Sequence, residues 1–195
     1  MIKESVLFIG DTSRWSALAA SYLDDVFEKV DTLLWDHGDP KPDIIDTWSG
    51  DRVFCFKADL VLSPALLNRV RGSAINFHPS PPRYRGVGGY HFAIKDGCTE
   101  FGVTCHHIVR KIDAGRIIQV RRFPITPNET GAGLTERAGA YLLLLFYEMV
   151  DLIRTGQPLP ESDEEWGERL YTRKMLAELL RTGRVEALDA TLTTA

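Results

Sequence analysis

Residues 73–86 read Ser-Ala-Ile-Asn-Phe-His-Pro-Ser-Pro-Pro-Arg-Tyr-Arg-Gly. Ala74 to His78 have the make-up of a buried strand, yet the run carries an amide and an imidazole that a core-filling strand has no use for. The prolines at 79, 81 and 82 then end it, because proline cannot donate to a sheet ladder. Strand side chains alternate between faces, so Asn76 and His78 share one face and Phe77 takes the other. The proline run makes a rigid lip, and the glycines at 86, 88 and 89 allow a ligand or a second stretch of backbone to come close.

Outward from this strand, apolar runs alternate with helical periodicity. Val6–Gly10, Val30–Trp35 and Arg52–Phe56 read as strands on its N-terminal side, and Phe101–Val109 and Arg116–Ile125 on its C-terminal side. Helical stretches fall at Arg14–Asp25, with Asp11, Thr12 and Ser13 as N-cap candidates, within Asp43–Trp48, at Pro64–Val70 and at Tyr90–Lys95. The longest helical pattern runs from Thr135 to Arg154 and stops at Gly156. Beyond Gln157–Pro160 the chain turns acidic, then helical around Lys174–Leu180, and 189–195 read as a frayed end. This alternation predicts an α/β fold, a mostly parallel twisted sheet flanked by helices, with a catalytic domain over 1–156 and a short C-terminal extension over 157–195. In such sheets ligands bind outside the carboxyl ends of the strands, which is where Asn76 and His78 lie.

An imidazole beside an amide donor can stabilise a developing oxyanion and pass protons, the two requirements of acyl transfer. A histidine in that role takes an orienting carboxylate. The downstream candidate is Asp113 in Arg110-Lys-Ile-Asp-Ala-Gly115, a tight loop between two expected strands where Gly115 can supply an unusual backbone angle. No serine or cysteine nucleophile stands at an expected strand end, which points away from a covalent acyl-enzyme and toward direct transfer to an amine. Each residue also has a plainer reading, since Asn and His can cap a turn and Asp ahead of a glycine is an ordinary turn residue. Their conjunction favours chemistry.

The segments INFHPSPPRYRG and FGVTCHHIVRKIDAGRII resemble the formyltransferases that use 10-formyltetrahydrofolate. That family includes glycinamide ribonucleotide transformylase, methionyl-tRNA formyltransferase and the sugar N-formyltransferases. The resemblance implies a Rossmann-like formyltransferase fold in which Asn76 holds the formyl oxygen as charge develops on it. His78 would share that task and shuttle protons, and Asp113 would orient His78 and help move a proton from amine to folate nitrogen. The folate pterin would lie against Leu60, Val61 and Leu62, with its polar edge on the backbone of Val109, Arg110, Lys111 and Ile112. Thr104 and His106 match the strand that backs the site, and His107 faces the other way.

The wording FHPSPPRYRGVGGYHFAI is most similar to the sugar N-formyltransferases, which act on nucleotide-linked amino sugars of surface polysaccharides. Arg83, Tyr84 and Gly86 are then candidate acceptor contacts, with arginine drawn to the diphosphate. Departures from the family pattern are also visible. The extra β-α unit expected before Arg52–Phe56 is replaced by HGDPKPDIIDTWSG, so the sheet should be truncated and the folate pocket partly open. Gly10-Asp-Thr-Ser13 lacks the glycine-rich phosphate turn of the purine enzyme, and no basic domain of the kind the tRNA enzyme uses follows. Another small amine as acceptor, including the purine-pathway type, and a non-catalytic folate- or nucleotide-binding homologue are the alternatives.

Composition bounds the partners. With 44% hydrophobic and 26% charged residues the chain is an ordinary globular one, and its net charge of −4 offers no basic field to nucleic acid or anionic membrane. The pairs Arg83 with Arg85 and Arg121 with Arg122 read as solvated surface. Cys55, Cys98 and Cys105 have no metal-ligand spacing and form no even-numbered disulfide set, and Cys55 and Cys105 sit in apolar runs. No signal peptide is seen, and the apolar run Tyr141–Tyr147 is far short of the roughly 20 residues of a membrane span. The expectation is a soluble cytoplasmic protein with small-molecule partners and no metal, whose helix 135–154 is also a candidate homodimer face.

Overall fold

The computed structural model describes residues 1–182; the expected frayed end at 189–195 lies outside them. Strand β1 (Ile2–Gly10) leads into helix α1 (Arg14–Val26) and strand β2 (Phe27–Leu34). Helix α2 (Ile44–Thr47), strand β3 (Gly50–Phe56), helix α3 (Pro64–Leu67) and strand β4 (Val70–His78) follow. Then come β5 (Arg85–Gly86), α4 (Gly89–Lys95), β6 (Glu100–His107), β7 (Ile117–Pro124), α5 (Gly131–Arg154), β8 (Leu170–Tyr171) and α6 (Arg173–Arg181).

Six strands form one sheet in the order β2-β1-β3-β4-β6-β7. The first four pair in parallel, as crossover helices require. Past β4 the chain makes α4 without crossing back, so β6 enters from the carboxyl end of β4. His78 then pairs with Thr104 and Ile75 with His107, antiparallel, and β7 is antiparallel to β6 in turn. The sheet is therefore mixed. Between β2 and β3 the chain makes only α2, four residues long.

The two faces are covered unequally. On one, α1, α4 and α5 pack on Phe8, Phe54, Phe56, Ile75 and Phe77 in a large core. Phe146 of α5 is fully buried there, with ring centroids 4.8 Å from Phe77, 5.6 Å from Phe56 and 5.9 Å from Phe54. On the other, a smaller cluster of Leu7, Ile9, Val53 and Cys55 is covered by Ile45, Trp48, Leu62 and Leu66. Cys55 behaves there as a hydrophobe, its thiol pushed up to about 12 by burial.

Local signals act as the residue types dictate, with one exception. Ser63 caps α3 by accepting from the Leu66 N–H at 3.2 Å, ahead of Pro64 in the first turn. Gly156, with φ of +69°, ends α5. Ser13 sits at the N-cap of α1 but its hydroxyl donates to Asp11 Oδ1 at 2.5 Å instead of capping the helix. Beyond α5 the chain returns over the sheet's carboxyl end, and β8 pairs with β5 in a two-stranded ladder that no periodicity announced. Gly86 makes this pairing possible. Its φ is +90°, and a Cβ there would stand 2.2 Å from the Tyr171 carbonyl oxygen. Phe146→Ala should cost about 3–5 kcal/mol of stability, the usual loss on emptying a buried aromatic site. Urea unfolding followed by circular dichroism measures it, and a loss well under 1 kcal/mol would mean that the core collapses around the gap.

Candidate active site

Asn76 and His78 do lie on one face of β4, and Phe77 enters the large core on the other. Antiparallel pairing sets His106 opposite Asn76 and Thr104 opposite His78 on the same face. Thr104 Oγ1 donates to the Ser80 carbonyl at 2.7 Å, tying the lip to β6. The loop 108–116 folds back over this face. Its neck closes where the His107 N–H donates to Arg116 O at 3.0 Å, and Gly115 is seated against the His107 carbonyl, where a Cβ would stand 1.8 Å from the oxygen. The close approach explains the glycine. The unusual backbone angle belongs to Asp113 itself, with φ of +41°.

This turn delivers a buried carboxylate to both imidazoles. Asp113 Oδ2 is 3.6 Å from His78 Nδ1, and Oδ1 is 3.4 Å from His106 Nε2 and 3.4 Å from Asn76 Nδ2. The Gly86 N–H donates to Oδ2 at 2.8 Å. Burial alone would raise the Asp113 pKa. The charge of His78 and the Gly86 N–H are among the causes that outweigh it and hold the carboxyl well below its usual range.

Ring tautomers follow from what each nitrogen touches. His78 Nε2 lies 2.9 Å from the Tyr84 carbonyl, which can only accept, so Nε2 carries a hydrogen and Nδ1 is the exchangeable position facing Asp113. His106 Nδ1 is likewise bound to the His107 carbonyl at 2.9 Å, so the neutral ring accepts at Nε2 from Asn76 Nδ2 at 3.0 Å. That bond fixes the amide with its NH2 toward His106. Since His106 Nε2 and Asp113 Oδ1 are near neighbours, one N–H can serve both and the other is left for an oxygen in the cleft.

Asn76, His78 and Asp113 open on a cleft of about 510 Å³. Its lining includes every expected folate contact: Leu60, Val61 and Leu62 after β3, and Val109, Arg110, Lys111 and Ile112 from the loop 108–116. Val61, Val109 and Ile112 are exposed apolar side chains there, as a flat heteroaromatic ring would require. Gly86, Val87, Gly88 and, from the C-terminal extension, Leu170–Arg173 and Leu176 also line the cleft. Lys57 lines the floor, its Nζ donating to Asp11 Oδ2 at 2.7 Å. Asp36 and His37, from the short segment after β2, reach the rim.

Two expected acceptor contacts are placed elsewhere. Arg83 points outward, its Nη2 donating to Asp96 at 3.2 Å and its guanidinium over the Tyr84 ring. The Tyr84 ring is buried and its hydroxyl donates to Asp96 at 2.9 Å, so Tyr84 serves the site through its carbonyl. Gly86 does line the cleft. Arg85 corrects the reading of this basic pair as solvated surface. It is buried, with Nε donating to Asp113 O at 2.7 Å and Nη2 to Ile112 O at 2.9 Å. Arg121 and Arg122 pair with Glu148 and Glu164 at the surface. Among the described residues, no group of three or more His, Cys, Asp or Glu side chains could hold a metal, and no helix is long and apolar enough to cross a membrane.

Comparison with known proteins adds to this geometry. The sequence matches the family described as Formyl transferase over residues 43–141, a span that contains Asn76, His78, His106 and Asp113. A methionyl-tRNA formyltransferase from Bdellovibrio bacteriovorus is 31% identical over 150 residues, 74% of this chain and 46% of that protein, so the chain spans under half of its length. An uncharacterised protein and inferred sugar N-formyltransferase from Mycobacterium tuberculosis superposes with a TM-score of 0.74 at 23% identity, over 95% of this chain and 88% of that one. The N-formyltransferase from Helicobacter canadensis, solved with folinic acid and dTDP-3-aminofucose, gives 0.72 at 20% identity, over 90% and 72%. At these identities the superpositions establish the fold.

Because the folded pKa of Asp113 lies below the unfolded value, its contribution to stability is full above about pH 5, begins to be lost in the ordinary carboxylate range and goes on being lost below it. Asp113→Asn should therefore lose less stability than the parent between about pH 5 and pH 3, measured by thermal denaturation. Equal losses would show the carboxylate to be uncoupled from folding.

Proposed function

The chain belongs to the formyl transferase family, and from that premise we propose that it transfers the formyl group of 10-formyltetrahydrofolate to the primary amine of a nucleotide-linked amino sugar. The observation that carries this reading is the meeting of Asn76, His78 and Asp113 in a single cleft that is also lined by the apolar Leu60, Val61 and Leu62 and by Arg173. The exposed apolar side chains of Val61, Val109 and Ile112 suit the folate, which supplies the formyl carbon when bound. Gly86–Gly88 and Arg173 then face the acceptor, with Arg173, which pairs with Asp59, in place to meet a diphosphate. Folinic acid and dTDP-3-aminofucose in the Helicobacter canadensis protein, which shares the fold, support this division.

The chain's own groups account for each step. The acceptor amine attacks the formyl carbon and negative charge develops on the formyl oxygen. The remaining N–H of Asn76 meets that oxygen, and His78, once it has taken the amine proton at Nδ1, adds a positive charge held in place by Asp113. The new C–N bond forms as the bond to the folate nitrogen breaks. One proton leaves the amine and one reaches the departing nitrogen, and His78 Nδ1 with Asp113 is the pair that can accept and return it. Asp113 is kept ionised for this by its surroundings. No nucleophilic side chain is needed, and the partners are small molecules of the cytoplasm.

His78→Ala and Asp113→Asn should each lower kcat by about 10²–10⁴-fold with folate binding retained; full activity in either would remove the mechanism. The acceptor is tested by thermal shift against dTDP- and UDP-linked amino sugars with a folate analogue present, followed by product analysis. Stabilisation by mass action and an N-formylated sugar nucleotide are expected. Formylation of methionyl-tRNA or glycinamide ribonucleotide alone would overturn the sugar reading while leaving formyl transfer standing.

A further inference from the structure

The segment 161–171 is tied to the segment that follows β4 and to the loop that carries Asp113. The Gly167 N–H donates to Pro82 O at 3.0 Å, Arg85 Nη1 donates to Gly167 O at 3.3 Å, and Arg116 pairs with Glu161 at 2.6 Å. Trp166 lies at the centre of these ties. Its indole N–H donates to the Gly115 carbonyl at 2.7 Å, two residues past Asp113. Its ring stands edge-on to His106 at 4.8 Å and 86°, and 6.0 Å from His78. One side chain therefore touches the strained turn and borders both imidazoles.

We propose that Trp166 is a positioning residue for formyl transfer, holding the Asp113 turn through Gly115 and keeping water from the side of the imidazoles that faces away from the cleft. The catalytic role of Asp113 and His78 is taken from the proposed function, on which this inference rests. Two physical needs meet in the indole. A non-glycine residue at positive φ persists only where its surroundings over-determine it, and Arg85 with Trp166 pins the turn by its carbonyls at 112, 113 and 115. The attraction between Asp113 and the histidines also weakens with hydration, because water raises the local dielectric. An indole meets both needs: its N–H reaches the carbonyl while its ring edge excludes water. The ion pairs of the segment, Arg116–Glu161 and Arg122–Glu164, lie at the surface.

The variants Trp166→Phe and Trp166→Ala separate the two contributions, with the surface change Glu164→Gln as control. Trp166→Phe keeps the ring and loses the bond, and should lower kcat about tenfold with both KM values unchanged. Trp166→Ala loses both and should lower kcat by about a hundredfold or more. A second readout needs no turnover. In the ligand-free parent, proton NMR should show a slowly exchanging imidazole N–H from His106, bound to the His107 carbonyl. That resonance should persist in Trp166→Phe and Glu164→Gln and broaden away in Trp166→Ala as water reaches the ring. Full kcat in Trp166→Phe, a rise in KM alone, or an unchanged imidazole resonance in Trp166→Ala would each overturn the proposal. If Trp166→Ala fails to fold, the Phe variant's kcat decides. Absence of formyl product from the parent would overturn the proposed function instead, and the NMR outcome would still report on the water-excluding role.

Discussion

A carboxylate that stays ionised while only 9% exposed must be compensated on every side, and Asp113 is the group on which this arrangement depends. Its two oxygens take their compensation from different parts of the chain. Oδ1 faces Asn76 and His106, which come from paired strands, and Oδ2 faces His78 and the Gly86 N–H from the end of β4 and the loop beyond it. Removing the Asn76 or the Gly86 donor would leave a lone pair buried without a partner, in a medium where that is costly. The left-handed backbone at Asp113, the glycine seat at 115 and the buried Arg85 are all consequences of bringing that carboxylate to this place.

Arg85 is the counterpart of Asp113. It is a second buried charge, and its contacts are backbone carbonyls at 112, 113 and 167. A guanidinium suits this because its donors are fixed in a planar fork that can span neighbouring carbonyls, which a lysine ammonium cannot match. Two opposite charges are thus locked on one turn, and the third carbonyl brings in the C-terminal segment. A boundary drawn at 156 follows the end of α5 but divides the site. The segment after it supplies Trp166, the β8 partner of Gly86, and Leu170–Arg173 and Leu176 on the cleft wall.

What could be read from the residues and what could not divide along a physical line. Asn76 and His78 were legible because strand geometry places alternate residues together and because polar groups in an apolar run require a reason. Strands and helices of several residues were legible by period, to within a few residues at their ends. The C-terminal side was not. A two-residue strand such as β8 has no period, and its pairing with Arg85–Gly86 joins residues more than eighty apart. Arg85 looked like surface because arginine seldom is buried, and the carbonyls that bury it come from a loop elsewhere in sequence. The working role of Tyr84 lies in its carbonyl, which composition cannot report. His106 was placed on the strand behind the site by resemblance, but its part in fixing the Asn76 amide needs the bond from its Nδ1 to the His107 carbonyl.

The inequality of the two faces of the sheet explains why these polar groups can be where they are. One face carries the large core around Phe146, and the strands gain their burial there. The other carries the smaller cluster, covered by the short helices α2 and α3 with Trp48 and Leu62, and the cleft opens on this face beside Asn76 and His78. Had the second face been covered as fully as the first, Asn76, His78 and His106 would have been sealed beneath apolar side chains with no route for a substrate. Had the first core been small, the strands could not have tolerated a polar cluster at their ends. The brief connection between β2 and β3 belongs to the same trade. With only α2 there, Asp36 and His37 reach the rim of the cleft. Stability is concentrated beneath the sheet, so the surface above it is available for recognition.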